Sequence, residues 1–304
     1  MRNLKLLSAA TALAMLVGAC DSESGEMRGR QEPVVVYASY ADESYLPELC
    51  AAFTDETGIP VTAHYGTPAQ IVDDVIANRS SPPADILLTT SVVDVWRAAD
   101  RGALRPIKAA GMDAVPPVLK DPEGLWVALE VRYATIGIAS HAEPGRVADY
   151  RDLANSELSG QLCLSSSALP VNRSLIALLI EDLGVKPAER MVRGWVRNLA
   201  LSPFATEDGL VAALKNGSCS YGIFSSPIEA DGIKKIVPEP RYFDIDAIGV
   251  ARHARNPESA HRLIDWMLIQ KSLQKPASSN GRNIGLAGWR AEDAALLAER
   301  AGYR

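Results

Sequence analysis

What the chain lacks narrows it first. Its 304 residues contain no Gly-x-Ser-x-Gly turn, no Gly-x-Gly-x-x-Gly fingerprint and no phosphate-binding P-loop, so the usual sequence marks of an exposed nucleophile or a nucleotide cradle are missing. Histidine is scarce: the four residues at 64, 141, 253 and 261 are scattered and give no metal-ligand spacing. No Lys/Arg-rich run exists and the net charge is −6, which argues against nucleic acid or an anionic membrane surface as a partner. After the first residues no stretch is both uncharged and about 20 residues long, the length a membrane span requires. These absences point away from an enzyme, and no cofactor is expected.

The amino terminus is informative. Arg2 and Lys5 precede an apolar stretch over 6–17, and Gly18-Ala19 stand before Cys20, the layout of an export signal. Leu16-Val17-Gly18-Ala19-Cys20 resembles the lipobox of bacterial lipoproteins, which implies acylation of Cys20 and a stable membrane anchor. Asp21 after it resembles a signal for retention at the inner membrane. An ordinary secretory signal with a coincidental cysteine is the alternative. Residues 1–19 are thus expected to be a signal peptide and 20–33, DSESGEMRGRQEP after the cysteine, a polar tether without apolar periodicity.

From residue 34 the chain is normally globular, 47% hydrophobic and 22% charged. Strand-like runs (34–37, 60–65, 84–90) alternate with helical ones (44–57, 68–77, 92–102), predicting an α/β fold with a parallel, doubly covered sheet. A long β-run over 126–140 precedes a second set: strands at 161–166 and 219–224, and helices at 171–183, 187–199 and 208–216. A strand region at 242–254 and helices at 256–270 and 291–302 follow. Two βα sets separated by long strands predict two lobes joined by crossing segments.

Ligands in open α/β sheets sit beyond the carboxyl ends of strands. Polar tips recur there: Ser39-Tyr40, Tyr65-Gly66, Thr89-Thr90-Ser91, Ser165-Ser166-Ser167 and Ser225-Ser226, although Ser and Thr are also ordinary caps. Glu130 and Arg132, two apart on the long strand, are predicted to share a face, where they either pair and brace the hinge or meet ligand. Cys50 falls on the apolar side of a predicted helix and reads as a buried free thiol. Cys163 and Cys219 remain as a disulfide pair or as two further free thiols.

The ordered runs VVVYASY, ELCAAFTDETGIPVT, PPADILLTTSVVDVWRAADRGALRPI, GLWVALEVR, LCLSSSALPVNRSLIALLI, LKNGSCSYGIF and DAIGVARHARNPESAHRLIDWML together resemble the periplasmic ferric-iron-binding proteins of ABC importers. The resemblance covers about 34 to 270. It implies the type 2 periplasmic binding protein fold, two-lobed with hinge strands: a first lobe over 34–130, a second over 131–240, and a return to the first with C-terminal helices over 241–304. It also implies a Cys163–Cys219 bond.

The family's iron-binding Tyr-Tyr pair, however, falls on Pro227-Ile228, and its other ligand positions fall near Ala41-Asp42, on Tyr65 and near Ile138. What the resemblance retains is an anion-side turn, Ser165-Ser166-Ser167 with Asn172, together with Arg132. The expected ligand-lining residues are Tyr40, Tyr65, Thr90, Glu130, Arg132, Ser166, Ser167, Asn172 and Ser225, with no metal ligand among them. The expected function is a transport lipoprotein that binds a small non-iron ligand, organic or anionic, and delivers it to an inner-membrane transporter. Two alternatives stand beside it: a ferric or other metal binder with a rearranged tyrosine site, and a carrier of a lipid-like molecule such as a sterol or hopanoid.

Overall fold

The computed structural model describes residues 32–143, 145–226, 228, 230–271 and 282–304, and of Tyr40, Ala41 and Lys271 the backbone alone. The expected signal peptide, Cys20 with its anchor, most of the tether, and Pro227 lie outside the described residues.

The first half builds β1 (Val34–Ser39), α1 (Leu46–Thr57), β2 (Val61–Gly66), α2 (Pro68–Ile76), β3 (Ile86–Thr89), α3 (Val92–Asp100) and a short β4 (Leu104–Arg105). Every residue of β1, VVVYAS, is buried, as a β-branched run must be when helices cover both faces of a sheet. Gly58 ends α1 at φ +73°, a left-handed stop that glycine takes without strain. Thr67 and Ser91 cap α2 and α3 by accepting from Gln70 N–H and Val93 N–H. β1 lies between β2 and β3, parallel to both.

The second half follows with β5 (Val127–Ala139), β6 (Leu162–Leu164), α4 (Pro170–Leu183), α5 (Val185–Arg197), α6 (Glu207–Lys215), β7 (Tyr221–Ser225), β8 (Ile233–Ile236), β9 (Phe243–Ala251), α7 (Pro257–Lys271), α8 (Gly285–Trp289) and α9 (Ala291–Ala301). β5 serves both halves. Its residues up to Tyr133 pair with β9, and those from Ala134 pair with β7, so the sheet changes partner between 133 and 134. The path of neighbours is β2-β1-β3-β9-β5-β7-β6.

The expectation of a parallel sheet holds within each βα set and fails at the centre. β9 runs antiparallel to both β3 and β5, and β5 antiparallel to β7. The reason is topological: β9 re-enters the first half from the second, so it travels against the strands it joins. Of the C-terminal helices, α7 packs beside β5 and β9, α9 rests on α4 and α5, and α8 packs on α3 and α4. Gly288 permits this contact, since a Cβ there would stand 2.4 Å from Trp96 Cβ.

Cys163 and Cys219 are buried and bonded, with Cα atoms 5.9 Å apart, tying β6 to the turn that enters β7. Cys50 is free and buried. Trp126, Trp195, Phe53 and Phe224 are among the largest fully buried side chains. Among the described residues no helix is long and apolar enough to cross a membrane.

Candidate ligand-binding site

The two halves meet where β5 and β9 cross, and Arg132 stands there. Its Nη2 is 2.7 Å from Asp246 Oδ1 and donates to the Thr90 carbonyl. That Asp246 oxygen is buried and lacks hydrogen-bond geometry to any partner, so the contact is electrostatic. Burial works against the Arg132 charge, but Asp246, Asp244, Glu130 and Glu207 together outweigh it and hold the guanidinium above its ordinary pKa. Glu130, two residues back on β5, registers opposite Asp246. The predicted Glu130–Arg132 brace is therefore replaced by a diagonal pair across two strands, because β9 brings a carboxylate closer than the i+2 neighbour.

Carboxylates gather at this point from both halves. On the first, Asp42 follows β1, where Oδ2 accepts from Ser39 N–H and Ser39 Oγ at 3.1 and 3.0 Å and Oδ1 accepts from Tyr45 Oη at 2.7 Å. On the second, Glu207 at the start of α6 accepts from Ser225 N–H at 2.7 Å and from Ser225 Oγ. In β9 itself Asp244 accepts from Ser91 Oγ and Val92 N–H at 2.8 and 2.9 Å.

Burial is the leading cause of a raised pKa at all four acids, Asp42, Glu207, Asp244 and Asp246, with Arg132 opposing it at each. Asp246 is pushed up to about 7. Asp246 thus contacts the guanidinium, and Asp42, Asp244, Glu130 and Glu207 stand near enough for their charges and that of Arg132 to influence one another.

The site residues predicted from sequence divide by what they now touch. Thr90 contributes its carbonyl to Arg132. Ser225 is buried and fully engaged with Glu207. Asn172 is 1% exposed, and its amide donates to Ser165 O, Ser165 Oγ and Ser166 O, while its own oxygen is buried without a partner. It braces the serine turn. Ser166 Oγ accepts from Ala168 N–H at 3.3 Å, a local turn bond, and Ser167 is half-buried at a cavity between α4 and α9. Tyr65 packs on the core and has a buried, unbonded hydroxyl, its pKa raised chiefly by burial. Tyr40 begins a short helical turn; its side chain lies outside the described residues.

Sequence reasoning singled out Glu130 but missed Asp42, Glu207, Asp244 and Asp246 and the link between the halves. Asp244 and Asp246, at alternate positions in the otherwise apolar FDIDAIGVA strand, carried a legible signal, since buried acids are rare without a partner. Glu207 gave none, because acids are ordinary in a first helical turn. The link is a two-pronged ion pair, Arg173 on α4 to Asp94 on α3, at 2.9 and 3.3 Å. Among the described residues no three His, Cys, Asp or Glu side chains stand together as a metal-holding group.

No protein-family model matches the chain. In sequence it is similar to iron uptake protein A1 of Synechocystis, 25% identical across 93% of this chain and 86% of that protein. The fold is close to that of a Trichodesmium protein solved with iron and citrate, TM-score 0.79 and 24% identity, covering 90% of this chain and all of that one. It is also close to a ferric binding protein from Campylobacter jejuni, TM-score 0.78 and 18% identity, covering 89% of this chain and all of that one. The relatives and structural neighbours of this chain include an Fe(3+)-binding periplasmic protein of Serratia marcescens and this ferric binding protein, and its fold is the two-lobed type 2 periplasmic binding protein fold.

Proposed function

We propose that this protein is the substrate-binding component of an inner-membrane importer, such as an ABC permease, and that its interlobe cleft takes up ferric iron. It works in the periplasm, tethered to the inner membrane through acylated Cys20. The observation that carries the reading is that carboxylates from both halves share the charge field of Arg132, with Tyr45 bonded to one of them. A hard cation needs oxygen donors, and an acid-rich cleft that holds protons exchanges them for such a cation.

The non-iron ligand expected from the sequence gives way to the metal-binding alternative, which the iron-binding relatives favour. With Pro227-Ile228 at the positions of the family's tyrosine pair, the donors fall to Asp42, Tyr45, Glu130, Glu207 and Asp246, which draw together as the lobes close.

The test is to titrate the purified protein with ferric citrate, pass it through a desalting column and measure retained iron. About one iron per chain is expected, released protons accompany it, and Asp42→Asn with Glu207→Gln lowers retention at least tenfold. Iron that passes through unretained defeats the reading. The second reading, a non-iron organic ligand, rests on that same Pro227-Ile228 replacement. It requires a small organic molecule that co-purifies and is found by mass spectrometry after solvent extraction.

A further inference from the structure

A polar pocket lies away from the hinge acids. β4 leads into a loop over 105–110 that faces the first turn of α7, and a space of about 330 Å³ separates them. Its polar lining is Arg105, Lys108, Glu258, His261, Arg262 and Asp265. Arg105 registers against Val250 on β9, four residues from Asp246, so roughly 13 Å of strand separates this pocket from the hinge acids.

Three features give the pocket a sign. Arg105, Lys108 and Arg262 form no side-chain ion pair or hydrogen bond among the described residues. One of the two acids is already occupied, since Asp265 Oδ1 accepts from Gly111 N–H at 2.7 Å. The tautomer of the buried His261, only 9% exposed, is fixed: Nδ1 accepts from Lys108 N–H at 3.2 Å, so the neutral ring carries its proton on Nε2 and offers a donor. Donors without partners, arranged around a concave space, are what an oxyanion needs.

We propose that this pocket binds a small oxyanion of the sulfate or phosphate class, free or carried on a headgroup, through Arg105, Lys108, Arg262 and the Nε2–H of His261. The ring's surroundings agree with that sign. Burial, then Arg105 and Lys108, lower the His261 pKa, against Glu258 alone raising it, so the local potential is positive and an arriving anion relieves it. The site stands apart from the cleft, and its test does not depend on the cleft's ligand.

The chain has four histidines, so the ring resonance of His261 is assignable by comparison with His261→Gln. Sulfate, whose charge is constant across neutral pH, is titrated against chloride at matched ionic strength. A saturable shift with sulfate and none with chloride is expected, with the His261 pKa raised in the bound form. In Lys108→Gln with Arg262→Gln, both exposed positions whose change leaves the fold intact, the sulfate midpoint should rise at least tenfold. Equal responses to the two salts, or an unchanged midpoint in the double variant, overturn the proposal. Vesicles of phosphatidylcholine with phosphatidylglycerol form a second arm: a saturable His261 shift on adding them assigns the headgroup form, and its absence assigns the free ion.

Discussion

The two ends of β9 carry opposite electrostatics in one strand. Where β9 crosses β5, Asp244 and Asp246 are buried and their carboxylates are held against ionisation by burial, with Arg132 as counter-charge. Where β9 meets β4, three cations, Arg105, Lys108 and Arg262, outnumber the two acids, Glu258 and Asp265, at the rim of an open pocket. The difference teaches that charges have different consequences by depth. At the buried end each group is part of the fold's stability, because an uncompensated charge there has no water. At the rim, cations stay solvated and stand ready for a partner.

Breaking the comparison at its strongest point means removing Arg132. Arg132→Ala leaves buried acids without their counter-charge and should cost about 3–5 kcal/mol in denaturant unfolding, whereas a loss under about 1 kcal/mol would mean the acids are fully protonated without it.

Next comes pH. The folded-state pKa of Asp246 is raised from 3.8 to about 7, so the folded chain binds the proton more tightly than the unfolded one. Its contribution is complete below about 4 and is lost as pH rises to about 7. Unfolding free energy should therefore fall across that window, and Asp246→Asn should flatten the fall by roughly 2–4 kcal/mol. Equal slopes for the two proteins would remove Asp246 from the account.

A smaller effect is expected at Asp244, where an Asn keeps the shape but cannot accept from all of Ser91 Oγ, Val92 N–H and Ile245 N–H. About 1–3 kcal/mol should be lost in thermal unfolding. Smallest is the rim: Arg105→Gln should stay within about 0.5 kcal/mol of the parent, and a larger loss would show that the far end of β9 is structural after all.

Much of the fold was legible because local rules agreed with one another. The VVVYAS run and the alternation of strand and helix each point to a βα unit, and the structure has them. Short elements escaped. β4, β8 and α8, at two, four and five residues, are too brief for any periodicity to register. The site was less legible than the fold. Polar tips at strand ends were visible, but Ser225 and Asn172 turn out to serve Glu207 and the serine turn, since hydroxyl and amide groups are used for bracing as readily as for binding.

By itself the sequence determined the alternation of elements, the burial of β1 and the family likeness, because these depend on neighbours a few residues apart. Only the tertiary structure decided that Arg132 pairs with Asp246 rather than Glu130, that Asp42 and Glu207 from opposite halves both feel the charge of Arg132, and that α9 rests on α4 and α5. Each of these joins residues far apart in the chain. Their charges settle where the antiparallel return of β9 brings them, and no local pattern encodes that direction.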